Sequence, residues 1–291
     1  MKKQQNSFGA WLVAAIVVAG AIAGGVYLWR KGLQNPEAAA PAPATAASSA
    51  APAAASSAIR HPIAEAGPAA ASTAALPALD GSDGTVADEL ARLGGDDLAG
   101  LLLREQIIPR IVATVDALPR QGVATRILPL RTPRGAFAVD EQEGSIELSS
   151  RNAERYTPYV RVVDAVDARQ AVAWYVRYYP LFQQAYRELG YPRGYFNDRL
   201  VAAIDNMLAA PDLTAPIALV RGDTYYRFVD PSLQGLSAGQ KLLLRMGPAN
   251  AAKMKAKLRE IRAALVGQGP SMSSTPKLES FSSREKVPAG G

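Results

Sequence analysis

Gly235-Leu236-Ser237-Ala238-Gly239 has the spacing of a nucleophile elbow, in which a serine at a sharp strand-to-helix turn attacks an acyl carbon. Such a serine needs an imidazole base, and the single histidine of the 291-residue chain, His61, lies far upstream. The stretch before Ser237 reads as a turn rather than a strand. Ser237 is better explained as a helix N-cap, with Gln240 three residues on closing a capping box. Carboxylate pairs could still serve a glycosidase without histidine, and Asp116, Asp198, Asp205 and Asp230 are the candidates. Asp198-Arg199 at a predicted helix start also reads as a carboxylate matched to the helix dipole. Cysteine is absent, which excludes disulfides and thiolate metal sites, and with no histidine beyond His61 no imidazole-based metal site is expected downstream. No Walker loop, dinucleotide fingerprint or calcium loop occurs, so no cofactor is expected.

Two groups of residues suit binding rather than catalysis. Eight of the 11 tyrosines fall between Tyr156 and Tyr195, interleaved with Arg155, Arg161, Arg177, Arg187 and Arg193. Arg155, Tyr156 and Tyr159 could stack a sugar or hold an anion; equally, the rings could be core with their hydroxyls bonded at the domain edge. The net charge of +6 is the second signal. Lys241, Arg245, Lys253, Lys255, Lys257, Arg259 and Arg262 face only Glu260 between 239 and 266, so this segment carries the whole excess. Lys253, Lys255, Lys257 and Arg259 are expected to form a basic face toward an anionic lipid, an envelope glycan or an acidic envelope protein, with the stems of Lys255 and Arg262 along the apolar stripe. No nucleic-acid partner is expected.

The elements that must position these residues centre on 167–208. Ala171, Trp174, Tyr178, Leu181, Ala185 and Leu189 share one helical face, and Tyr175, Tyr179, Phe182 and Tyr186 make a second apolar row. Asp167 is the expected N-cap with Gln170 at N3, and Gly190 with Pro192 supplies the stop. Pro180 should kink this helix or start another. Asn197 is expected to cap a second helix with Leu200, Ile204 and Leu208 on one face. Upstream, Thr85 with Asp88 suggests a capped helix ended by Gly94-Gly95, followed by helices over 98–103 and 107–118. Strands are expected at 126–130, 136–139 and 145–148, and 155–163 reads as an aromatic, basic connection. A hairpin spans 216–229, turning at Arg221-Gly222-Asp223, a tripeptide that a turn explains without an adhesion role. Helices over 237–246 and 250–265 close the domain, the last with Met254, Leu258, Ile261 and Leu265 on one face.

The domain 79–266 sits behind two other segments. Residues 10–29 carry no charge and would span ~30 Å as a helix, matching a bilayer core, with Trp11, Tyr27 and Trp29 at the interfaces. Ala21-Ile22-Ala23 resembles a signal-peptidase site, but the apolar run continues beyond it, so an uncleaved anchor behind a cytoplasmic 1–9 is expected. Residues 30–78 are an Ala/Pro-rich linker expected to behave as coil, with His61 a solvated residue in it, and 267–291 read as a disordered tail.

The blocks Arg155-Tyr156-x-Pro-Tyr159, Tyr179-Pro180-Leu181-Phe182-Gln183-x-Ala-Tyr186-x-x-Leu-Gly190-Tyr-Pro, Tyr195-Phe196-Asn-Asp-Arg199 and Ser237-Ala-Gly-Gln-Lys-Leu-Leu-Leu-Arg245-Met-Gly-Pro-x-Asn250 occur in this order. Together they resemble the bacterial family called domain of unknown function 3014, over 76–265. The resemblance implies a single-pass bacterial membrane protein with an Ala/Pro-rich linker, and brings no catalytic residues with it. The combined expectation is a mainly α domain with small β-hairpins, held on the periplasmic side of the inner membrane. Its expected role is non-enzymatic binding or scaffolding; the alternative is a carboxylate-dependent hydrolase of an envelope glycan.

Overall fold

The computed structural model describes residues 59–63, 75–142, 144–223 and 225–266. The expected membrane helix over 10–29, the cytoplasmic 1–9, most of the 30–78 linker and the 267–291 tail lie outside them. No helix among the described residues is long and apolar enough to cross a membrane.

A 3-10 turn at Leu79–Gly81 leads into α1, Asp83–Leu101, and then α2, Ile107–Ala117. As expected from Gly94-Gly95, α1 is two helical stretches that meet at a break, the second running on to Leu101. Gly95, at φ +63°, supplies a left-handed residue at the bend and the chain resumes its helical path beyond it. Nor does Thr85 cap α1, which starts two residues earlier. The carboxylate of Asp83 instead accepts the backbone N–H groups of Gln106 (2.7 Å) and Ile107 (2.8 Å), so the first turn of α1 caps the start of α2.

The strand expected at 126–130 is a 3-10 turn, Thr125–Ile127, followed by one bridge between Leu130 and Leu102. The strand expected at 136–139 is displaced to β1, Val139–Gln142, which forms a hairpin with β2, Ser145–Leu148. The stretch expected as a connection over 155–163 is helical: α3, Asn152–Arg155, and α4, Thr157–Ala165. Next come α5, Ala168–Glu188, and α6, Phe196–Leu208. The hairpin of β3, Ala218–Arg221, and β4, Tyr226–Phe228, lies where expected. β3 also pairs with β2, so both hairpins join in one antiparallel sheet of order β1-β2-β3-β4. The chain closes with α7, Pro231–Gln234, α8, Ala238–Arg245, and α9, Pro248–Val266. A mainly α fold with a small β part is therefore what forms.

α5 is the hub. Its N-cap is Asp167, whose side chain accepts from Gln170 N at 2.9 Å, and it stops at Gly190 with φ +114°. It runs unbroken through Pro180, so no second helix starts there. α2, α6 and α9 all pack against it. Trp174, Tyr175, Tyr178, Phe182 and Tyr186 are buried along it and meet Phe196 from α6 in a continuous aromatic cluster. The expected stripe of α9 is buried against this core, with Met254, Leu258, Ile261 and Leu265 all at 2 % exposure or less. The sheet covers a separate small core of Leu219, Phe228 and Leu244.

Candidate anion-binding site

α8 is placed between these two cores. Leu242 and Leu243 face the helical core, Leu244 faces the sheet, and Ala238 joins a third cluster with Ala117, Val123 and Leu128. A helix covered on all sides must bury whatever polar side chains its sequence contains. Its start is built as expected: Ser237 accepts from Gln240 N, and the Gln240 side chain accepts from Ser237 N at 3.0 Å. The hydroxyl of Ser237 donates to Asn206 Oδ1 at 2.6 Å. Gly239 lets the helix approach closely, since a Cβ there would stand 2.9 Å from Met207 Cγ. Ala238 N and Gly239 N donate to the carbonyls of Arg120 and Leu118. Cap, contact and close approach account for Ser237, Ala238 and Gly239, and none of these contacts prepares a nucleophile.

The far end of α8 is fixed by the turn into α9. Gly247, at φ +81°, makes the corner, and a Cβ on it would lie 3.2 Å from Ala153 Cβ. Asn250 Nδ2 then donates to the carbonyls of Ala153 and Met246, each at 3.0 Å, clamping the corner onto α3. This brings Arg245 beside Tyr156 at the α3–α4 junction.

Lys241 and Arg245, one helical turn apart, are thereby covered without a counter-charge. Lys241 is only 7 % exposed and Arg245 is half-buried. Neither makes an ion pair or side-chain hydrogen bond with any of the described residues. Burial lowers the pKa of the Lys241 ammonium, and the neighbouring Arg245 lowers it further. Burial likewise lowers that of Arg245. Tyr156 cannot neutralise them, because its burial raises the phenol pKa despite the pull of Arg245 and Arg155. Arg155 lies over the Tyr156 ring at 6.0 Å and extends the row of cations. Its guanidinium is fixed by the carbonyls of Arg134 (3.2 Å) and Gly135 (3.1 Å) and by Asn152 Oδ1 (3.2 Å). A row of positive charge with two partly open members, Arg245 and Arg155, and no acid supplied by the described residues, is suited to receive an oxyanion.

The candidates singled out in sequence fare differently. Arg155 belongs to this row. Tyr156 and Tyr159 are core rings, 3 % and 2 % exposed, and Tyr159 donates its hydroxyl to Arg131 O at 2.8 Å. Neither offers a free face for stacking a sugar. Burial takes the Tyr159 phenol to about 12. The basic face expected on α9 is largely consumed by acids from other elements. Lys253 pairs with Asp164. Lys255 is 2 % exposed and donates to Ala210 O and Asp212 Oδ1, both at 2.6 Å, so its head does not reach out past the stripe. Lys257 bonds Val166 O and pairs with Glu260 at 2.9 Å, and Arg262 pairs with Asp205. Arg259 is exposed and has no ion pair with the described residues.

The four candidate carboxylates are also in use. Asp116, 7 % exposed, accepts from Arg120 (2.6 Å), Arg199 (3.0 Å) and the Tyr191 hydroxyl (3.3 Å). Asp205 holds Arg262. Asp230 caps α7 through Ser232, whose N–H and hydroxyl lower its pKa. Asp198 accepts the backbone N–H groups of Arg60 (3.1 Å) and His61 (2.7 Å). His61 is thus not a freely solvated linker residue. Asn197 does not cap α6 either; Tyr195 holds that position, and Asn197 is buried one residue inside the helix.

Lys241 and Arg245 were hidden in sequence inside the basic segment. The signal that could have separated them is their spacing of four on a helix otherwise made of Ala, Gly, Gln and Leu, with no acid within a turn.

The family model described as protein of unknown function (DUF3014) matches residues 107–262, more than half of the chain. The chain belongs to this family. Two of the sequence blocks that carry the family resemblance, one around Tyr156 and one along α8, meet at the row of cations just described. No curated protein and no solved structure matches the chain.

Proposed function

We propose that this DUF3014 protein is a non-enzymatic binding protein of the bacterial envelope. In this reading its N-terminal helix sits in the inner membrane and its folded domain, on the periplasmic side, takes an anionic group. The observation that carries the reading is the cation pair Lys241–Arg245, buried or half-buried beside Arg155 and Tyr156 with no acid among the described residues to neutralise it. The ligand would present a phosphate or carboxylate, the groups whose geometry a guanidinium and an ammonium match. Such a group could belong to a lipid headgroup, a glycan or an acidic partner protein. Binding is favoured over hydrolysis because each carboxylate that could have formed a catalytic pair is held by a cation, a cap or a backbone.

The site is tested by replacing Lys241 with methionine, which keeps the length of the stem and removes the charge. The unliganded full chain in detergent should gain about 1 kcal/mol or more, because an uncompensated charge no longer has to be covered. Pyrophosphate at tenfold its Kd should stabilise the unaltered protein by ~1.4 kcal/mol, or ~3–5 °C in Tm, and leave Lys241→Met unmoved. Loss of stability in the variant together with an equal response to pyrophosphate would reject the site.

Topology is tested separately. An alkaline phosphatase fusion after Gly291 is expected to be active and a cytoplasmic reporter at the same point inactive. The reverse pattern would place the domain in the cytoplasm.

A further inference from the structure

Residues 59–63, Ile-Arg-His-Pro-Ile, lie in the segment that composition marks as linker, yet they are seated on the first turn of α6. Asp198 uses one carboxylate oxygen for Arg60 N and the other for His61 N. Asn197 Nδ2 donates to the His61 carbonyl at 2.7 Å. The Asn197 amide is held for this task, since its Oδ1 accepts from the buried Tyr175 hydroxyl at 3.2 Å and the residue is 1 % exposed. Ile63 packs on the main core. Two donors and one acceptor of a backbone that bends at Arg60 and His61 are therefore read by two adjacent side chains, and an apolar residue two positions on is covered. The contacts are to main chain, so the surface recognises the backbone path and the Ile63 anchor more than the Arg60 or His61 side chains.

We propose that the N-terminal turn of α6 is a peptide-docking surface whose occupant is residues 59–63 of the same chain, and that this latch sets the reach of the domain from its anchor. With the segment seated, only 30–58 remains as tether, about three-fifths of the residues of 30–78. A coil's maximal reach falls in proportion to its residues, so undocking extends it by more than half again. The docking stands on the contacts above; its effect on reach rests on the anchor reading.

The chain has no cysteine, so two introduced ones report without interference. Spin labels at Ile59→Cys and Ala202→Cys, both exposed positions, are placed in the full chain in detergent. The distance distribution should be single and narrow. His61→Pro, which removes one donor without touching the domain, and Asp198→Ala should each broaden it. Arg60 is the only lysine or arginine between Lys31 and Arg92, so tryptic cutting after Arg60 reports release on its own. It should become at least tenfold faster in Asp198→Ala; His61→Pro, whose Arg-Pro bond trypsin does not cut, is read by the distance distribution alone and should leave the melting of the domain unchanged. A broad distribution in the parent chain, or a narrow one kept in both variants, would overturn the latch. A distance measured between singly labelled chains would seat the segment on a second copy and overturn it as well. These readouts do not depend on whether the anchor lies in a membrane.

Discussion

Asp116→Ala should cost about 3 kcal/mol, the lower end of what is lost when one partner of a buried ion pair is removed. Asp116 sits near the end of α2 and ties three elements together. Arg120 follows it by one turn, Arg199 comes from α6, and Tyr191 comes from the turn between α5 and α6. Arg199 also donates to the Asp116 carbonyl, so its guanidinium is wrapped around this one residue. Removing the carboxylate strands the Arg199 side chain, which is only a quarter exposed, without a counter-charge. Arg120 contributes less, because its side chain is half in water. Asp116→Asn keeps the shape and two acceptor lone pairs and should lose less than the alanine variant. Urea unfolding at constant m measures both. A loss below about 1 kcal/mol for Asp116→Ala would mean that the cluster behaves as a solvated surface pair.

Trp174→Ala should cost ~3–5 kcal/mol. Trp174 is 6 % exposed in the second turn of the hub helix. Its ring stacks on Tyr178, with centroids 4.8 Å apart, and meets the edge of Phe182 at 5.8 Å. Its Nε1 has no acceptor among the described residues. The value of the side chain therefore lies in packing, and Trp174→Phe, which loses no hydrogen bond, should cost less than about 1.5 kcal/mol. Read in a chain whose Trp11 and Trp29 are changed to phenylalanine, Trp174 should emit at short wavelength and resist quenching by iodide. Emission like that of tryptophan in water would contradict its burial.

Both predictions fall on features that differ in how far the sequence exposes them. The apolar rows of α5, its Asp167 cap and its Gly190 stop are written within a few residues of one another, as are the capping box of α8 and the stripe of α9. Local periodicity and caps are enough to read these, except at Leu189, which follows the last turn of α5 and is 43 % exposed. The partners of Lys253, Lys255 and Arg262 come from Asp164, Asp212 and Asp205, on other elements, and no spacing rule reveals them. Counting Glu260 as the sole acid available to α9 therefore made its face look freer than it is. The same limit hid the seat of 59–63 on α6, the joining of the two hairpins through β2 and β3, and the carboxylate of Asp83 capping α2. The break at Gly94-Gly95, by contrast, is legible locally, because Gly95 leaves the helical region and a second helical stretch starts beyond it.

The cation pair on α8 is the part of the structure on which the functional reading rests, and its direct test is a binding isotherm. Pyrophosphate titrated calorimetrically into the full chain in detergent, at fixed ionic strength, should bind saturably at one site. Lys241→Met and Arg245→Met should each reduce the affinity at least tenfold, whereas Lys253→Met, on the paired face of α9, should leave it unchanged. Binding that is absent in the parent chain, or that falls with Lys253→Met and survives Lys241→Met, would contradict the account.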